Sequence, residues 1–177
     1  GRNVRTFERL TGVDVLIDDT PGYIILSSFD PIRREIARVA LEALLKDGRI
    51  QPAKIEEMID SARKQVATTV KQMGEKAAYE AGVQNLHPDL VTILGSLHFR
   101  TSYGQNVLWH SVEMAHLAGI IAEEVGADVN IARAGALLHD IGKTVSHEVQ
   151  GTHVEIGIRI LQKYGVDEKV ILAMRAH

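Results

Sequence analysis

A chain of 177 residues, 45% of them hydrophobic, carries enough apolar side chain for one large or two small packed domains, which excludes wholesale disorder. Its formal charge of -3 is not the footprint of a protein held to nucleic acid by bulk electrostatics. The lack of cysteine removes disulfides, thiolate zinc sites and cysteine nucleophiles together, and suits a reducing cytosol. No apolar run reaches transmembrane length and the first residues do not look like a signal peptide, so membrane attachment has to come from sequence outside the chain.

In chain order, residues 1–50 read helix–strand–strand–helix. Residues 2–11 form a short helix with Arg2, Arg5 and Arg9 spaced to share one face. Val13, Val15 and Ile17 alternate with Asp14 and Asp18. Tyr23 to Phe29 is a second β-rich run, reached through the turn Asp19-Thr20-Pro21-Gly22. Asp30 caps a helix that begins at Pro31 and stops at Gly48. Residues 51–87 hold one long amphipathic helix, with Ile55, Ile59, Ala62, Val66, Val70, Met73 and Ala77 recurring every three to four positions. This segment reads as a connecting helix, a dimer seam, or a helix packed on its own neighbouring domain.

Residues 88–177 read as all helix, with helices expected near 88–97, 104–125, 129–140, 153–164 and 168–177. Asp128 and Asp167 are caps, Thr152 with Glu155 a capping box, and Gly165 a stop. All eight histidines lie between His87 and His177, and the excess of acidic over basic residues sits in this block too. Imidazole is a common metal ligand and proton carrier, so this half is expected to carry the chemistry.

The sharpest local signal is Leu137-Leu138-His139-Asp140-Ile141-Gly142-Lys143. Two apolar residues run into an adjacent imidazole and carboxylate at a helix end, where both can face one divalent cation. Further ligands must come from other helices. His110, His153 and His177 each lie at a helix-compatible position upstream or downstream, as a multi-helix metal centre requires. Lys143 is either a helix-end cation or a group placed to meet a phosphate. His116, six residues past His110, points to another side of its helix and reads as a packing or surface residue. His87, His98 and His147 flank turns, which predicts solvent exposure.

On His110, His139 and Asp140 the last block resembles the HD superfamily of metal-dependent phosphohydrolases. That family's later Asp lies beyond His177, and its two-metal subgroup would use His153 and His177 for a second ion. Longer strings resemble the ribonuclease Y family more narrowly. Gly1-Arg2-Asn3-Val4-Arg5-Thr6 is similar to the end of a KH signature loop and the helix after it. Phe29-Asp30-Pro31-Ile32-Arg33-Arg34-Glu35 is similar to the start of the last KH helix. His87-Pro88-Asp89-Leu90 and Phe99-Arg100-Thr101-Ser102-Tyr103-Gly104-Gln105-Asn106 are similar to the run-in to the HD domain. The resemblance covers essentially all 177 residues. The first part of the KH domain, a membrane anchor and coiled coil, and the end of the HD domain are expected outside the chain.

The resemblance implies a mostly α fold: a partial α+β KH domain over 1–50, a connecting helix over 51–87, and an all-helical HD domain, C-terminally incomplete, over 88–177. It implies a metal-dependent endoribonuclease that hydrolyses phosphodiesters in single-stranded RNA and initiates mRNA decay. The divalent ion would be Mn, Mg, Fe or Zn, held by His110, His139, Asp140, His153 and His177. Asp140 and Lys143 would be catalytic, Arg100 and Gln105 would touch substrate, and Gly1, Arg2, Arg5 and Arg9 would grip RNA. A homodimer, an RNA-degradation assembly and a parent anchored to the cytoplasmic face of the membrane belong to the same expectation. Two rival readings remain at the level of sequence. One is a phosphohydrolase of nucleotides or cyclic dinucleotides, and the other is a non-catalytic RNA-binding fragment.

Overall fold

The computed structural model describes residues 1–20, 22–145 and 148–177, so Pro21 of the expected turn and His147 lie outside the described residues. The chain divides into two compact units, Gly1–Thr68 and Thr69–His177. Among the described residues the architecture is mostly α, with eight α-helices and four short strands. No helix among them is long and apolar enough to cross a membrane.

In the first unit, α1 (Arg2–Thr11) buries Phe7 and Thr11 and leaves Arg2, Arg5 and Arg9 exposed. Strands β1 (Asp14–Ile17) and β2 (Ile24–Ser27) pair antiparallel, with Val15 opposite Leu26. The alternation of side chains turns those two toward the core and Leu16 and Ile25 away from it, while Ile17 and Ile24, farther along the core-facing side, are also exposed. Helix α2 (Pro31–Asp47) starts where the Asp30 carboxylate accepts hydrogen bonds from the Ile32 and Arg33 amides, and ends at Gly48. Such a cap stabilises a helix by about 1 kcal/mol.

Helix α3 (Pro52–Ala81) keeps one apolar period throughout, yet its residues serve two cores. Ile55, Ile59 and Ala62 pack with Phe7, Val13, Ala40 and Leu44. Ala77 and Ala81 pack with Leu90, Leu94, Leu108 and Leu137. The division between compact units therefore falls inside this helix.

The second unit continues with α4 (Pro88–Ser96), a 3-10 turn (Leu97–Phe99), β3 (Thr101–Ser102), β4 (Gln105–Asn106), α5 (Val107–Val125) and α6 (Val129–Leu138). A second 3-10 turn (Ile141–Thr144), α7 (His153–Lys163) and α8 (Glu168–Arg175) complete it. Its core holds Leu90, Leu94, Leu97, Leu108, Leu137, Leu138, Ile141 and Leu161, all with no exposure. Three expectations are corrected. The helix expected from residue 104 begins at Val107, because residues 101–106 form a β-hairpin. The helix expected over 129–140 ends at Leu138, which frees His139 and Asp140 from the regular helix. His98 is not solvent-exposed but half-buried, with its ring edge-on to Phe99 and Trp109.

Candidate metal centre

The centre is built from the end of α6. Leu137 and Leu138 are fully buried, so the chain leaves the helix inside the core, and His139 and Asp140 are only 7% and 3% exposed. The His139 Nδ1–H donates to the Ala136 carbonyl at 2.5 Å. That bond sets the tautomer and leaves Nε2 as the free ligand atom, 3.3 Å from Asp140 Oδ2. Gly142 follows, where any side chain is excluded: a Cβ there would lie 1.7 Å from the His153 carbonyl oxygen. This close approach presses the first turn of α7 onto the 3-10 turn and brings His153 toward Asp140.

Each remaining histidine is delivered by a capped helix. Asn106 caps α5 by accepting from the Leu108 and Trp109 amides, while its own amide nitrogen donates to the His98 carbonyl at 2.6 Å. His110 follows one turn later, its ring 5.7 Å from that of His139. Thr152 and Glu155 form the capping box of α7. His153, the first residue of that helix, places Nε2 3.9 Å from Asp140 Oδ1. His177, just past α8, places Nε2 3.8 Å from the same oxygen. The two carboxylate oxygens of Asp140 thus face two sets of imidazoles. His110, His139 and Asp140 form one group whose ligand atoms lie within 4.8 Å of one another, and Asp140, His153 and His177 form a second.

This donor set fits a divalent cation. Two ligands about 2.1 Å from a shared ion are at most about 4.2 Å apart. The separations of 3.3, 3.8 and 3.9 Å around Asp140 meet that limit. Asp140 Oδ1 and His153 Nε2 are buried without a hydrogen-bond partner, the cost of which a coordinated ion removes. Burial works against the charged carboxylate of Asp140. The hydrogen bonds and charges of His139 and Lys143 outweigh it and hold its pKa far below the usual carboxylate range. Burial likewise opposes a charged His139, but Asp140 and the Ala136 carbonyl raise its pKa above the ordinary imidazole value. His177 is lowered by burial and by the neighbouring His139. An anionic carboxylate among imidazoles is the borderline-hard set that binds divalent metals.

A cleft of about 190 Å³ opens on this corner, lined by Ser102, Gln105, His110, Asp140, Lys143 and His177 among others. Lys143 Nζ lies 3.1 Å from Asp140 Oδ2. Of the two expected substrate contacts, Gln105 lines the cleft, whereas Arg100 is directed to the Thr144 carbonyl and is absent from the lining. Ser102 and Tyr103 also line the cleft, and the sequence marks them only as part of the Phe99–Asn106 segment. His116 is exposed and His87 caps α4, both outside the two ligand groups. Gly1, Arg2, Arg5 and Arg9 belong to the first unit, at the N-cap and along the exposed face of α1.

Comparison with known proteins agrees with this geometry. Residues 107–177 match the HD domain family. All 177 residues align at 58% identity with 37% of the ribonuclease Y of Alkaliphilus metalliredigens, and at 60% identity with 34% of that of Acetivibrio thermocellus. The ribonuclease Y of Listeria innocua is 58% identical over the same 177 residues. The chain spans about a third of the length of these curated relatives. No solved structure matches it significantly. Its full-length similarity and the histidine–aspartate corner inside its HD domain assign the chain to the ribonuclease Y family.

Proposed function

We propose that the chain is the metal-dependent hydrolytic segment of an endoribonuclease that cleaves phosphodiesters within single-stranded RNA and so initiates mRNA decay. The observation that carries this reading is one cleft lined by His110, His139, Asp140, Lys143 and His177, with His153 Nε2 3.9 Å from Asp140 Oδ1. His110, His139 and Asp140 would hold one divalent cation, drawn from Mn, Mg, Fe or Zn. The second Asp140 oxygen would hold another with His153 and His177. A bound divalent ion supplies charge stabilisation at a phosphate oxygen and a nucleophilic water near neutral pH.

The chain's own residues supply the rest. His139 is oriented by the Ala136 carbonyl, so its free nitrogen faces the cleft rather than rotating away. Asp140 stays ionised and ties the cationic Lys143 to the ligand corner. From there the Lys143 ammonium would stabilise charge on the phosphate or assist the departing oxygen. Gln105, on the cleft wall, would touch the substrate. In the same reading residues 1–50 are a partial KH fold gripping RNA, supported by Arg2, Arg5 and Arg9 on one exposed face of α1 and by Gly1 at its open amide end. Homodimerisation, an RNA-degradation assembly and a cytoplasmic membrane anchor carried by sequence outside the chain are proposed for the longer protein.

The test is hydrolysis of a single-stranded RNA with added Mn, by the wild-type chain and by His139→Ala and Asp140→Ala. Loss of cleavage in both variants supports the reading. Survival of full cleavage in both at saturating metal overturns it. Turnover of nucleotides or cyclic dinucleotides with RNA left intact moves the assignment to those substrates.

A further inference from the structure

Strands β3 and β4 form the tightest possible hairpin, Thr101 pairing with Asn106 and Ser102 with Gln105, so only Tyr103 and Gly104 make the turn. Both have positive φ, 51° and 78°. A two-residue turn of this kind favours Asn-Gly, since the left-handed region is uncomfortable for a bulky side chain. Tyrosine therefore occupies a position that strains its backbone. Its exposure is 105%, so packing does not repay that strain. An outlier of this sort, held by its surroundings at the edge of a site, points to function.

The surroundings hold it well. The Asn106 side chain fastens the hairpin base to the His98 carbonyl and to the first turn of α5, and the Val107 amide donates to the Arg100 carbonyl. One turn of α5 separates that anchor from His110. The tip is thus fixed relative to the ligand corner, and Tyr103 lines the same cleft as His110, His139, Asp140 and Lys143. A fully exposed aromatic ring on an anchored hairpin, lining the candidate metal cleft, has the properties of a stacking platform for an unpaired base.

We propose that Tyr103 is a positioning residue that stacks on a nucleobase of single-stranded RNA next to the phosphodiester held in the cleft. The inference rests on the hydrolytic reading above and adds how the strand is seated. Stacking on an aromatic side chain tolerates any base, so it orients the strand without demanding a sequence.

The decisive variant is Tyr103→Asn, because asparagine relieves the turn while removing the ring. Binding is read with a short single-stranded RNA carrying 2-aminopurine, in chelator so that the RNA stays intact. Tyr103→Asn is expected to weaken binding roughly 5- to 150-fold and to abolish the quenching of 2-aminopurine. Its unfolding temperature stays equal or rises. Tyr103→Phe and Tyr103→Trp retain wild-type binding, and an abasic residue at the contacted position erases the difference between wild type and Tyr103→Asn. Unchanged RNA binding by Tyr103→Asn overturns the proposal. So does a loss of binding accompanied by a lower unfolding temperature, a loss equally large in Tyr103→Phe, or no measurable RNA binding by the wild type. Full cleavage that survives both His139→Ala and Asp140→Ala would instead sink the hydrolytic reading, and the binding series would still decide the stacking.

Discussion

Alanine at Gly142 tests how the second half of the metal centre is assembled. The added Cβ would sit 1.7 Å from the His153 carbonyl oxygen and 2.7 Å from its carbon, both backbone atoms that no rotamer change can move. Restoring an ordinary contact of roughly 3.5 Å requires the start of α7 to retreat by about 1.8 Å. His153 carries that carbonyl, so its ring retreats with it. The ring nitrogen already stands 3.9 Å from Asp140 Oδ1, against a limit of about 4.2 Å for two ligands of one ion. The variant should therefore lose the Asp140–His153–His177 group and keep His110, His139 and Asp140. Overpacking of this kind costs about 1–3 kcal/mol, at roughly 2–4 °C of unfolding temperature per kcal/mol for a chain of this size. Metal titration by calorimetry and a thermal scan measure both effects. Wild-type stoichiometry with an unchanged unfolding temperature would refute the argument from close packing.

Ligand removal should be asymmetric. Asp140→Ala, which strips a carboxylate from both groups, abolishes measurable divalent metal uptake, whereas His110→Ala removes one ion's worth, as equilibrium dialysis would show. Metal binding should weaken as pH falls below the raised His139 pKa, about tenfold per pH unit, because cation and proton compete for Nε2. In chelator the dependence inverts. The charged His139 stabilises the fold fully below the unfolded imidazole pKa of about 6.5, and that contribution disappears as pH rises through the folded value, a trend denaturant melts across pH would reveal. Adding metal at about a hundred times its dissociation constant should stabilise the chain by about 2.7 kcal/mol, and Asp140→Ala should erase that gain in the same melts. Asn106→Ala, which removes the α5 cap and the hairpin anchor, should cost about 1 kcal/mol of stability, checked by urea unfolding.

Much of the fold was legible where the signals are local. Asp30, Asp128, Thr152 and Asp167 each cap the helix that their position predicts, since an N-cap needs only its own side chain and the next few amides. The candidate cluster has local signals too: His139 and Asp140 follow a run of apolar residues, and His153 lies inside a capping box. What was not legible depends on distant packing. The hairpin at 101–106 hides because Tyr-Gly is not a customary turn pair and because, reading back from Val107, the sequence carries no break in the helical pattern of α5 before Gly104. His98 looks like a turn residue until Trp109 and Phe99 are folded around it. The stripe of α3 runs unbroken through Ile59 and Ala77, so no change in period marks the point where one core gives way to the other. The contact of the Arg100 guanidinium with the Thr144 carbonyl joins residues 44 positions apart, so no local pattern announces it.

The most direct measurement is anomalous diffraction from crystals of the chain soaked in manganese. A peak bounded by His110, His139 and Asp140, and absent from Asp140→Ala crystals, is the predicted result. Metal-soaked crystals with no anomalous density between those three side chains, or with the ion held elsewhere, would contradict the account.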